Sequence, residues 1–208
     1  MHYTKKDIDN LDRITRLKII NSVTGIKPAN LIGSIDGDGK TNVAIFSSVV
    51  HLGSNSAILG FISRPRTEDV GHTYSNIMEN GLYTINHIHP EFVKNAHYTS
   101  GKFDKDISEF DRCGLTEEYI GGFMAPFVKE SNFKMGLRFR EKIDIAINGT
   151  VLIIGEIEEL IIPKSAFTED DIDLQSSNTI GISGLNSYYS LTKLDRFPFV
   201  RLDEVPDF

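Results

Sequence analysis

The stretch "KMGLRFREKIDIAINGTVLIIGEIEELII", residues Lys134 to Ile162, commits this chain to antiparallel β structure. Met135, Leu137, Phe139, Ile143, Ile145 and Ile147 alternate with Gly136, Arg138, Arg140, Lys142 and Asp144, the period of a half-buried strand. Asn148-Gly149 is the strongest short signal for a hairpin, and an equally apolar strand returns after it. A two-residue turn would set Glu141 opposite Glu156 on the apolar face. Like charges opposite one another are unfavourable, so either a bulge or a basic partner is expected there.

The remaining elements are short. From Thr4 to Gly25 apolar residues recur at helical spacing (Ile8, Leu11, Ile14, Ile20, Val23), with Thr4 and Asp7 set as a capping box. "PANLIGSI", "AILGFI" and "LYTINHI" read as strands, "DGDGK" as a turn, and "HTYSNIMENG" as a short helix stopped by Gly81. Glu91 to Gly114 is polar, with helical parts and loops. "TNVAIFSSVVHLGSN", Thr41 to Asn55, reads as one strand buried on both faces, yet Ser47 and Ser48 sit side by side in its middle. Such a hydroxyl either bonds its own backbone and bends the strand or serves a ligand. Strands with hairpin signals and short intervening helices predict one domain over 1–208: a helix over 1–25, then a small closed or split barrel with helical insertions over 26–208.

Composition narrows the function. A net charge of −7 argues against a general nucleic-acid or anionic-membrane binder, so any bound anion needs a local site. Cys113 is the only cysteine, which excludes an intrachain disulfide. The first residues lack the apolar core of a signal peptide, and no apolar stretch is long enough to span a bilayer; the expected location is the cytoplasm.

The basic local site is in "ISRPRTEDVGHTYSNI". Arg64 and Arg66 lie on a loop that runs into a helix start near His72, Thr73 and Asn76. Two guanidinium groups, a hydroxyl and free helix N–H groups suit a phosphate; the plainer reading is solvated arginines and a helix cap.

Five segments in order, "TNVAIFSSVVHLGSNSAILGFI", "RPRTEDVGHTYSNI", "NGLYTINHI", "AHYTSGKFDKDISEFDRCGLT" and "GLNSYYSLTKLDRFPFVRL", resemble the flavin reductase-like family, in particular its flavoredoxin-like branch, from about Lys18 to Leu202. The resemblance implies a mainly β (α+β) fold, an FMN-binding split β-barrel of antiparallel Greek-key type with short flanking helices, working as a homodimer with the flavin at the interface. It implies that Ile45, Phe46, Ser47 and Ser48 line the isoalloxazine and ribityl chain. It implies Arg64, Arg66 and Thr73 on the FMN phosphate, and His97, Thr99, Ser100 and Lys102 over the ring. Some relatives carry a cysteine where Thr99 stands, and Cys113 is no obvious substitute.

Other chemistry has weaker support. His87 and His89 share a strand face but have no third ligand at suitable spacing, and no metal is expected. There is no G-x-G-x-x-G after a strand and no nucleophile motif. The expected function is an FMN-dependent oxidoreductase, an NAD(P)H:flavin reductase that takes hydride from NADH or NADPH, with no catalytic side chain beyond the flavin. The alternative is a non-catalytic FMN-binding module or flavoredoxin-like electron carrier without a productive nicotinamide site.

Overall fold

In the computed structural model, which describes residues 1–65 and 71–207, the chain opens with α1 (Lys5–Asn10) and α2 (Arg13–Ser22). The sequence predicts one helix here. Asp12 divides it: its carboxylate accepts from the Ile14 and Thr15 N–H groups and so caps a new helix start. The Thr4–Asp7 capping box forms, and Gly25, at φ 79°, ends the helical region.

Strands β1 (Lys27–Pro28), β2 (Asn30–Ile35), β3 (Thr41–Phe46), β4 (Val50–Ser54) and β5 (Ala57–Ser63) precede α3 (His72–Asn80) and β6 (Leu82–His87). Helices α4 (Val93–Tyr98) and α5 (Glu109–Cys113) follow, then β7 (Glu117–Glu118), β8 (Phe127–Val128), β9 (Lys134–Ile145), β10 (Thr150–Ile161), β11 (Ile180–Ser183) and β12 (Ser187–Ser190). The fold is mainly β. Its largest sheet runs β3-β2-β6-β9-β10-β5-β4, and every pairing in it is antiparallel. A second sheet runs β1-β11-β12, and β7 pairs with β8.

The strand period divides the core. On β2, Leu31 belongs to a cluster with Val43, Ala96, Phe110 and Ile182, whereas Ile32 belongs to one with Phe61, Tyr83, Ile85 and Leu137. On β6, Tyr83 and Ile85 point into the second cluster, while Thr84 and Asn86 point the other way and bond the Pro126 and Leu31 carbonyls. Gly155 on β10 is required by this packing: a Cβ there would fall 2.1 Å from the Tyr83 hydroxyl oxygen.

The β9–β10 hairpin forms, with a longer turn than two residues: Thr150 pairs with Ile145, and the Gly149 N–H bonds the Ile145 carbonyl. Glu141 then faces Ile154, and a register shift before Gly155 brings Glu156 opposite Arg138. Both remedies for the two glutamates operate, since Arg140 also pairs with Glu156 at 2.6 Å. The apolar face holds only at the barrel end. Met135 and Leu137 are buried, but Ile143 and Ile147 are exposed, because the hairpin tip runs beyond the core.

Thr41–Asn55 is two strands, not one buried strand. The ladder breaks at Ser47–Val49, and Val50 and Leu52 on edge strand β4 are exposed.

Candidate functional site

The break in that stretch is where the two edges of the seven-stranded sheet meet, since β3 and β4 stand at opposite ends of the strand order. Ile45 packs on the cluster containing Ala96 and Phe110; Phe46 packs on the other, edge-on to Phe61 with ring centroids 5.0 Å apart. These side chains are therefore largely committed to the core. Ser47 is half-buried, and its hydroxyl has no partner among the described residues. The Ser48 hydroxyl bonds both the N–H and the carbonyl of Ile62 on β5.

Of the expected phosphate residues, Arg64 and Thr73 are among the described residues. Arg66 lies outside the described residues. Arg64, exposed just past the end of β5, makes no ion pair with any described residue. It stands close enough to Lys27 on β1 to act on it: burial first, then the Arg64 charge, lowers the Lys27 pKa below its ordinary value. Among the described residues, Lys27 donates only to the carbonyls of Asn21 at 2.8 Å and Gly184 at 3.3 Å. Two neighbouring cations thus lack a carboxylate partner among the described residues of an acidic chain.

Thr73, the second residue of α3, is buried, and its hydroxyl faces inward to Asn42 at 3.0 Å. With its amide turned to satisfy its neighbours, Asn42 donates to both oxygens of Glu109 at 3.2 and 3.1 Å and accepts from Thr73. Burial raises the Glu109 pKa to about 7, opposed by backbone N–H groups including that of Val43. The helix itself starts at Gly71, at φ 114°, which leaves the first N–H groups of α3 without a side-chain cap.

Around α4, His97 Nδ1 meets the Tyr188 hydroxyl at 2.9 Å, which leaves Nε2 available. Thr99 is buried and donates to the Ala96 carbonyl at 2.7 Å; Ser100 donates to the His97 carbonyl at 2.7 Å. Both hydroxyls close the end of α4. Lys102 is exposed and has no ion pair among the described residues.

The three-stranded sheet joins these groups. Lys27 pairs in register with Ile182, and Ile182 with Tyr188, so one row runs from the cations to the His97 contact. Adjacent strands lie about 4.8 Å apart, which places Lys27 and Tyr188 backbones roughly 10 Å from each other. No local pattern marks Lys27 or Tyr188, because a register between distant strands leaves no signal in the sequence around either residue.

Other candidates are accounted for structurally. His87 stacks on Phe133 at 4.3 Å, bonds Thr179, and is pushed by burial down to about 4, so it stays neutral. His89 Nε2 meets the Glu130 carbonyl at 2.7 Å. Burial, then the Glu109 charge, raises the Cys113 thiol pKa, the opposite of what a nucleophile needs. A polar cleft of about 220 Å³ lies by the start of β3, lined by Lys40, Lys105, Asp106, Glu117 and Tyr119. Its lysines are paired, Lys40 with Asp106 and Lys105 with Asp36.

The sequence profile described as "Flavin reductase like domain" matches residues 26–177. The chain belongs to the flavin reductase-like family. Among solved structures, this flavin reductase-like chain is similar to a split-barrel-domain protein of Shewanella frigidimarina NCIMB 400 provisionally assigned as a flavin reductase. The two are 48% identical over 96% of this chain and 100% of that one, with a TM-score of 0.91. The fold is shared with nitrilotriacetate monooxygenase component B from Bacillus cereus (16% identity; 95% and 98% of the two chains; TM-score 0.83). It is shared also with the flavoredoxin of Desulfovibrio vulgaris (Miyazaki F) (21% identity; 84% and 91%; TM-score 0.70).

Proposed function

We propose that this chain is a single-domain, FMN-dependent oxidoreductase of the cytoplasm, an NAD(P)H:flavin reductase that works as a homodimer. The observation that carries the reading is that Arg64 and Lys27, close enough for the Arg64 charge to help lower the Lys27 pKa, both lack a carboxylate partner among the described residues of a chain of net charge −7. Like charges are held together at a cost unless an anion joins them, and a phosphate monoester suits that place. Arg66 and the open N–H groups at the start of α3 complete the anion site in this reading.

Ser47 and the backbone at the strand break, with Ile45, Phe46 and Ser48 behind them, form the wall for the flavin's ring and ribityl chain. Thr73 supports the helix start from inside, through Asn42. His97, held by Tyr188, and Lys102 cover the ring from the α4 side, while Thr99 and Ser100 shape the turn that carries them. A cation such as Lys102 near the ring favours negative charge there. FMN, when bound, supplies the hydride-accepting chemistry.

Titration of FMN and riboflavin into wild type and Arg64→Ala tests the assignment. The variant is expected to bind FMN roughly ten- to a hundredfold more weakly and riboflavin unchanged. Equal loss of both, or of neither, makes Arg64 a mere loop charge. Anaerobic addition of NADH or NADPH to the FMN-loaded protein should bleach the flavin absorbance; a flavin that stays oxidised with both identifies an electron carrier instead.

A further inference from the structure

The two ends of the described chain carry apolar side chains that the described residues leave half to almost fully exposed. No residue of α1 or α2 is buried, although Ile14, Leu17, Ile20 and Val23 follow one another along α2. After β12 the chain is held to its own body by Lys193 on Asp171 and Arg196 on Asp170. Beyond that point Phe197 is 76% exposed, Phe199 90% and Leu202 93%. Single exposed apolar residues are ordinary; two whole segments of them are not.

The area identifies what covers them. A folded monomer of 23.3 kDa exposes about 9,700 Å² by the usual scaling, whereas this chain exposes 13087 Å². The excess, about 3,400 Å² on each copy, is more than enough to supply one copy's share of an obligate homodimer interface, roughly 1,000–2,500 Å². The pattern on α2 argues against a membrane as the occupant. Residues repeating every three positions spiral around the helix, whereas lying flat in a bilayer surface needs one wide apolar face. A spiral row suits an extended segment crossing it.

We propose that two copies of this chain clasp one another by exchanging these segments: Phe197–Val205 of each copy docks on the second copy, with the apolar row of α2 as part of its seat. The inference rests on the homodimer proposed above for its occupant, and adds which parts hold it. It places the clasp outside both barrel cores, so the segments can be changed without unfolding the barrel.

Sedimentation equilibrium of the full chain tests this, with wild type, Phe199→Ser/Leu202→Ser and Ile14→Ser/Ile20→Ser, the fold of each checked by circular dichroism. Wild type is expected to be a dimer, and each double variant to weaken dimerisation by at least about a hundredfold while keeping the wild-type spectrum. Variants that dimerise like wild type overturn the clasp but leave the dimer standing. A monomeric wild type overturns the dimer reading, and the clasp with it. Co-sedimentation of wild type with phosphatidylglycerol vesicles, lost in the variants, would make the segments a membrane contact and overturn the clasp. FMN titration of the variants separates this from the flavin assignment: dissociation without loss of FMN affinity supports the clasp and moves the flavin away from the interface.

Discussion

Ser48 stands opposite Ile62 and replaces a main-chain pairing with its side chain. The β4–β5 register, Val50 with Gly60 and His51 with Leu59, continues to Ser48 with Ile62. There the serine hydroxyl accepts from the Ile62 N–H at 3.0 Å and donates to its carbonyl at 3.2 Å. The backbone of residue 48 is thereby released to turn from one edge of the sheet to the other. Neighbouring serines thus differ: Ser48 belongs to the frame, and Ser47 is left for the proposed flavin wall.

Ser48→Ala should therefore lower folding stability by about 1–2 kcal/mol, since two hydrogen bonds to a strand backbone are lost. Ser47→Ala should leave stability unchanged within about 0.5 kcal/mol and weaken FMN and riboflavin together. Urea denaturation and flavin titration of the two variants check this. Equal stability effects would remove the distinction.

Glu109 makes stability depend on pH. Its folded pKa, about 7, lies above the ordinary 4.5, so the folded protein holds the proton more tightly than the unfolded chain. That contribution is full below the unfolded value and is lost as pH rises through the folded one, here between about 4.5 and 7. The difference in urea midpoint between wild type and Glu109→Gln should change in favour of the glutamine variant from pH 5 to pH 8. A difference that stays constant would show that Glu109 ionises normally.

Lys27→Met tests the proposed phosphate role of a residue that only the fold places near Arg64. It keeps an apolar stem over the three-stranded sheet and removes one of the two cations. FMN affinity is expected to fall about tenfold and to become less salt-dependent, with riboflavin unaffected. Isothermal titration at two salt concentrations measures both; an unchanged FMN affinity would confine Lys27 to its two carbonyl contacts.

Tyr83 buries a hydroxyl that has no partner among the described residues and is pressed against Gly155. Tyr83→Phe should raise stability by about 1 kcal/mol, because a lone buried hydroxyl is costly. Gly155→Ala should lower it by more than about 2 kcal/mol, and Tyr83→Phe should recover part of that loss in the double variant. Additive effects in thermal denaturation would mean that the two positions do not touch.

Local patterns in the sequence carried the elements well and their joints poorly. Asn148-Gly149 and the alternating residues around it foretell the β9–β10 hairpin, because neighbours on a strand are neighbours in sequence. The strand break at Ser47–Val49 was hidden, because the apolar period runs on through it while the main-chain ladder does not: Phe46 is the last residue paired to β2 and Val50 the first paired to β5. The division of the first helix turned on Asp12, a polar residue at ordinary helical spacing whose capping bonds appear only in three dimensions. For the site, the loop arginines and serine pair were visible as residue types. The Lys27–Ile182–Tyr188 row was not, since it depends on the order of strands β1, β11 and β12.

Strand β2 lies between the two largest core clusters, with Leu31 in one and Ile32 in the other, and is hydrogen-bonded to β3 on one side and β6 on the other. It therefore acts as a party wall. Neither side can open to solvent without stripping the shared backbone, so the two halves are bound to melt in one cooperative step. The amides of Leu31 to Gly33 should then exchange with deuterium at the rate of global unfolding, while those of the exposed β4 edge exchange through local opening.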